Sequence, residues 1–184
     1  MVESRPASDP VAVVVMGVAG AGKTTVGRLL AAQVGASFFD GDDLHTEAAR
    51  AKMGAGVPLS DDDRWPWLDR IGRTLAAGLA TRRGTVIACS ALRKAYRDRL
   101  RSAVGPALRF VYLAATPEAM RARVAGRPEH YMPAALVDSQ FATLEPPRGE
   151  GDVIEIAADT DLATSVPPLA AQLRVGVAVG GRPS

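Results

Sequence analysis

The sequence predicts an α/β domain built on a parallel sheet with helices on both faces, and three observations predict it. Strand-like and helix-like segments alternate between residues 11 and 173, with no internal repeat and no linker dividing them. A glycine-rich run, Gly17-Val18-Ala19-Gly20-Ala21-Gly22-Lys23-Thr24, joins the first strand to the first helix and fits G-x-x-x-x-G-K-[ST] at every position. The composition is that of one globular domain: 184 residues, 47% hydrophobic and 23% charged. A net charge of +2 is too small to point to nucleic acid or a membrane surface as a partner. No apolar run approaches the ~18 residues of a membrane span.

Residues 1–10 carry no apolar core, so they are expected to be a flexible N-terminus rather than a secretory signal. The apolar run Val11 to Met16 is the first strand, and Lys23 to Val34 places apolar residues at helical spacing. Between them, glycines let the backbone curl so that successive N–H groups face inward, and the helix adds the positive end of its dipole. Such a loop cradles the phosphates of a nucleoside triphosphate. Gly17, Gly20, Ala21, Gly22, Lys23, Thr24 and Thr25 are the expected phosphate-binding set, with Lys23 on the outer phosphates and the Thr24 hydroxyl on Mg2+.

The second strand, 36–39, runs into Asp40-Gly41-Asp42-Asp43-Leu44-His45. Asp40 and Asp42 therefore stand at a carboxyl strand end, the edge where open α/β sheets hold ligands. Two carboxylates there can divide two tasks: one holds Mg2+ while the other orients a substrate hydroxyl and accepts its proton. The spacing does not say which acid takes the proton; Asp40 joins Thr24 as the candidate metal pair. Asp43 reads as a solvent-facing residue. His45, one helical turn beyond Asp42, is placed to hydrogen-bond a polyhydroxylated substrate.

Ser60 and Asp63 resemble a capping box that opens a helix through Arg64-Trp65-Pro66-Trp67-Leu68. The two tryptophans dock that helix. The Arg64 guanidinium suits a substrate carboxylate, with a salt bridge to a neighbouring aspartate as the alternative. A third strand, 85–89, ends in Cys89, which is expected to pack rather than react. As the sole cysteine it leaves no internal disulfide and fits a reducing cytoplasm.

After a fourth strand, 108–114, Thr116-Pro117-Glu118 starts a helix that ends near Gly126. Residues 121–133 read as a lid, because arginines precede a short proline-containing loop and phosphoryl transfer needs cations around the transferred group. Arg127 is the first candidate for that cation and Arg123 the second, while Arg121 faces elsewhere. His130 is a substrate contact or a lid hinge. Pro133 opens a helix to about Leu144, a fifth strand covers 153–157, and residues 174–184 are expected to form a flexible tail.

In order after the glycine loop, the runs DGDDLH, KMGAGVPLSDDDRWPWL, VIACSALRKAYRDRLR and HYMPAALVDSQFATLEPP resemble the bacterial-type gluconokinase family over about residues 11–160. The chain departs from that pattern at Thr46 and Ala49, where the family commonly has proline and asparagine, and at Tyr131 in place of phenylalanine. The resemblance implies a three-layer P-loop kinase fold with strand order 2-3-1-4-5 and a small lid. It also implies transfer of the ATP γ-phosphate to the 6-hydroxyl of D-gluconate, with Mg2+.

Carried onto this chain, Asp40 and Asp42 resemble the paired acids that such kinases place near metal and acceptor hydroxyl; with Lys23 and Arg127 from the loop and lid readings they make the expected catalytic set. His45, Arg64 and the loop Ser90-Ala91-Leu92-Arg93 are implied to face the substrate. Arg97, on the helix that follows, either reaches the substrate or pairs with an acid. The implied partners are ATP and gluconate, in a cytoplasmic enzyme of a family that often forms homodimers. Shikimate and adenylylsulfate kinases share the loop and the paired acids, but DRWPWL and SQFATLE weigh against them. A GTP-dependent switch would need an N-K-x-D run, which the sequence lacks.

Overall fold

The expected strands pair into one sheet in a computed structural model that describes residues 9–125 and 134–175. In chain order the elements are β1 (Ala12–Met16), α1 (Lys23–Val34), β2 (Ser37–Asp40), α2 (Glu47–Gly54), α3 (Asp61–Ala80), β3 (Thr85–Ala88), α4 (Lys94–Val104), β4 (Leu108–Ala114), α5 (Pro117–Ala125), α6 (Ala134–Thr143), β5 (Val153–Ala157) and α7 (Leu162–Val175). A 3-10 turn, Gly41–Leu44, follows β2. The sheet is parallel throughout, in the order β2-β3-β1-β4-β5.

β1 lies at the centre, with Val14 opposite Ile87 of β3 and Phe110 of β4. All five of its residues are buried, as a strand covered on both faces requires. The strand's period of two divides them between two cores. Val13 and Val15 pack with Val26, Leu30 and Val34 of α1 and with Leu169 and Leu173 of α7. Ala12, Val14 and Met16 pack with Trp67, Leu68, Ile71 and Leu75 of α3 and with Leu100 of α4. The result is three layers, with every carboxyl strand end on the same edge.

Local chemistry fixes what stands on that edge. Ser60 caps α3 and Asp63 completes the capping box, while Lys52 from α2 reaches Asp63 at 2.7 Å. Those contacts hold the Asp63 carboxyl down at about 2. The buried Trp67 donates its indole N–H to the Gly41 carbonyl at 2.6 Å, tying α3 to the turn after β2. A Cβ on Gly41 would stand 2.5 Å from the Ala88 carbonyl oxygen, so the turn passes β3 only as glycine.

Two expectations change. α7 continues through Arg174 and Val175, two residues into the stretch expected to be a tail, and Arg174 donates to the Gln33 carbonyl of α1. Arg97, held open above as a substrate contact, is corrected to a structural residue. It is fully buried, and its guanidinium donates to Glu150 at 2.5 and 2.9 Å and to the carbonyls of Ala91, Leu92 and Glu145. No donor is left for a ligand. Arg101 extends this network to Glu150, Asp152 and Asp98.

Candidate active site

The glycine loop wraps the start of α1 as the motif requires. Gly17 has φ +144°, and a Cβ there would meet the Leu113 carbonyl oxygen at 2.9 Å. The N-cap of α1 is Gly22, which has no side chain to occupy the first-turn N–H groups. Lys23 lies across the loop and donates to the Val18 carbonyl at 3.0 Å. Withdrawal from water lowers its pKa, against the pull of Asp42 and Asp40. Thr25 is exposed on the first turn, and Ala21 is buried.

Asp40 connects the two halves of the edge. The Thr24 hydroxyl donates to its Oδ2 at 3.1 Å, and its Oδ1 accepts the Asp42 backbone N–H at 3.2 Å. One carboxylate thus meets the phosphate loop and caps the turn that carries Asp42. The Asp42 side chain is 79% exposed. Partial desolvation by the surrounding walls, and then the Asp40 charge, raise its pKa, while Lys23 opposes.

His45 closes the turn and is 3% exposed, its ring stacked on Trp67 at 4.3 Å. Its Nε2 is 3.9 Å from Asp42 Oδ1, and its Nδ1 has no partner among the described residues. Burial, then the charges of Arg64 and Arg50, pushes the imidazole down to about 4, so it is neutral near pH 7.

Beyond these groups a cavity of about 450 Å3 is lined by Asp61, Arg64, Arg93, Tyr96, Ser139 and Thr143, among others. Arg64 and Arg93 lie over the Tyr96 ring at 5.8 and 5.9 Å. Asp61 accepts from the Tyr96 hydroxyl at 2.6 Å and from Arg93 at 2.8 Å. Among the described residues no carboxylate pairs with Arg64; it is the guanidinium of this cavity not already paired to an acid.

The structure therefore brings Lys23, Thr24, Asp40 and Asp42 together on one edge, with His45 beside Asp42. Ser90 reaches the phosphate loop through its backbone, its carbonyl accepting the Gly17 N–H at 3.4 Å. Arg123 donates to the Gly20 carbonyl at 3.2 Å and to the Ala158 carbonyl at 3.3 Å, so it spans the glycine loop and the loop after β5. Arg121 turns away to pair with Asp138 at 2.6 Å. Arg127 and His130 lie outside the described residues, as do most of the expected lid and both extreme termini. Cys89 is buried, and its thiol is pushed up to about 12 by desolvation, which leaves it without a nucleophile's thiolate.

Sequence reasoning missed Asp61, Ser139, Thr143 and Gln140. The last accepts the Ala19 N–H at 2.6 Å, although 121 residues separate them. Its signal was present in the SQFATLE run, which carried the resemblance without a role attached.

A family model described as an AAA domain matches residues 13–147. The chain is 46% identical over 152 residues to a protein of Schizosaccharomyces pombe named a probable gluconokinase, covering 79% of each chain. It is 42% identical to the thermosensitive gluconokinase of Escherichia coli K12 over 82% of this chain and 80% of that one. Among solved structures, a gluconokinase from Sinorhizobium meliloti 1021 superposes with a TM-score of 0.77 at 40% identity, over 92% of this chain and 93% of that chain.

Proposed function

The chain belongs to the gluconokinase family, and on that premise we propose that it transfers the γ-phosphoryl group of ATP to the 6-hydroxyl of D-gluconate, giving 6-phosphogluconate and ADP. The observation that carries the site assignment is the 3.1 Å contact between Thr24 of the phosphate loop and Asp40 of the acid turn. It sets a triphosphate cradle beside a pair of carboxylates on one sheet edge.

In this reading the triphosphate lies along residues 17–25, and Lys23 leaves the Val18 carbonyl for the outer phosphates. Thr24 and Asp40 are hard oxygen donors side by side and would hold Mg2+, directly or through water. When bound, the ion would supply charge neutralisation on the phosphates. Asp40 is engaged by Thr24 and by the Asp42 N–H, so Asp42 is the acid that takes the proton of the 6-hydroxyl. The hydroxyl oxygen bonds to the γ-phosphorus as the bond to ADP breaks. Neutral His45 hydrogen-bonds a sugar hydroxyl, and Arg64 holds the gluconate carboxylate in the 450 Å3 cavity. Arg123, at the rim of the glycine loop, and Arg127 meet the charge that spreads over the transferred group.

Among the described residues no helix is long and apolar enough to cross a membrane. The test is ADP release with a panel of acceptors. Gluconate should support turnover and shikimate or adenylylsulfate should not; equal or faster turnover with either would overturn the acceptor assignment.

A further inference from the structure

α6 touches both ends of the cleft. Ser139 and Thr143 line the acceptor cavity with Arg64, Arg93 and Tyr96. Between them in sequence, Gln140 turns to the other side and binds the phosphate loop at Ala19. The bond fixes the carboxamide's orientation, because a backbone N–H only donates and the atom facing it must be oxygen. At 2.6 Å between partly buried partners it is a short bond linking two segments with no other sequence proximity.

The chain just beyond α6 is anchored on the acceptor side. Glu145 donates its N–H to the Leu92 carbonyl at 2.9 Å and accepts the Lys94 N–H at 2.5 Å, capping the start of α4 beside Arg93 and Tyr96. Its carbonyl also takes a bond from Arg97 at 3.1 Å. One helix is therefore pinned to the glycine loop through Gln140 and to the acceptor wall through Glu145. A ligand that moves either wall must move this helix or break one of the pins.

We propose that Gln140 is a positioning residue that couples occupation of the acceptor cavity to the shape of the phosphate loop, so that a bound acceptor tightens the grip on nucleotide. The inference rests on the kinase reading above. It assigns Gln140 no contact with the reacting atoms. The carboxamide oxygen orients the Ala19 amide, and Ala19 sits inside the loop that wraps the phosphates. Coupling of this kind is reciprocal, so nucleotide tightens acceptor by the same factor.

The experiment is calorimetry of a non-hydrolysable ATP analogue with Mg2+, titrated with and without saturating gluconate, alongside steady-state kinetics. In the wild-type protein gluconate should raise analogue affinity by about 5- to 150-fold, the usual range of such couplings. Gln140→Met, close in shape but without the carboxamide oxygen, should bring that ratio to near one and lower kcat. Its analogue affinity in the absence of gluconate should change less than threefold. Gln140→Glu keeps an oxygen for the Ala19 N–H; its added charge weakens both titrations alike, so the ratio survives. A purely structural role would lower melting temperature and leave the ratio in place, and that outcome overturns the inference. So does a wild-type ratio of one in an enzyme that phosphorylates gluconate, which leaves the kinase reading standing. A wild-type protein that turns over ATP with no gluconate dependence removes the reading and the inference together.

Discussion

The two ends of the cleft are built by different means. The phosphate end is one loop of eight consecutive residues, Gly17 to Thr24, in which the backbone is the binding surface. The acceptor end is a set of side chains from α3, α4, α6 and the turn after β2, drawn from sequence positions as far apart as Asp42 and Thr143. A backbone cradle needs glycines at fixed intervals, whereas a side-chain cavity needs the whole fold. The same contrast appears between two arginines. Arg64 has no carboxylate partner among the described residues and faces the cavity, while Arg97 spends every donor inside the protein.

Substitutions sharpen this contrast in order of size. Lys23→Met should lower kcat/KM by about 10³-fold or more, since the outer phosphates lose their point charge. Arg127→Ala should cost about 10³-fold in kcat if it acts as an arginine finger; an unchanged rate would hand that task to Arg123. Asp42→Asn should lower kcat by about 10²- to 10⁴-fold, the range of general base catalysis. If Asp40→Asn and Asp42→Asn both turn over near the wild-type rate, the paired acids have no chemical role. Arg64→Lys keeps the charge but loses the fork, and should raise the gluconate KM by about 10-fold while leaving the ATP KM in place.

Arg97→Met should have the smallest kinetic effect and the largest effect on folding. Removing one partner of a buried ion pair costs about 3–5 kcal/mol, to be read as a drop in urea midpoint with kcat at low temperature unchanged. Its pH dependence has a definite sign. Arg97, set against the opposing effect of burial and aided by Arg101, holds the Glu150 carboxyl below its ordinary value of 4.5. Stability from that pair is present above this value and is lost as pH falls through the lower folded value. The wild-type protein should therefore lose more stability on acidification than Arg97→Met does.

How much of this was legible follows the same division. The five strands lay within a residue or so of their expected bounds, because each is an apolar run between turn residues. The capping box at Ser60 and the Thr24–Asp40 edge followed from local spacing and from the rule that ligands sit at carboxyl strand ends. Gln140, Asp61 and Thr143 stayed hidden because their meaning depends on which distant segment they meet, and hydrophobic period is silent on that. Arg97 could not be resolved from sequence for the same reason, since an arginine aimed at a ligand and one aimed at Glu150 have the same spacing on α4. α7 carries Pro167 and Pro168 inside it, and their cost is offset by the apolar stripe Val166, Leu169, Ala170 and Leu173, which shares a core with α1.

Cys89 gives the molecule an internal stopwatch. A single thiol, 2% exposed, stands where β3 runs out into the loop before Ser90. A thiol-modifying dye in the solvent can meet it only while that strand end parts from its neighbours, so labelling speed counts those partings with no tag introduced. Nucleotide or acceptor that clamps the edge should slow the clock, and comparing each ligand alone with both together would time how firmly the two ends of the cleft are locked.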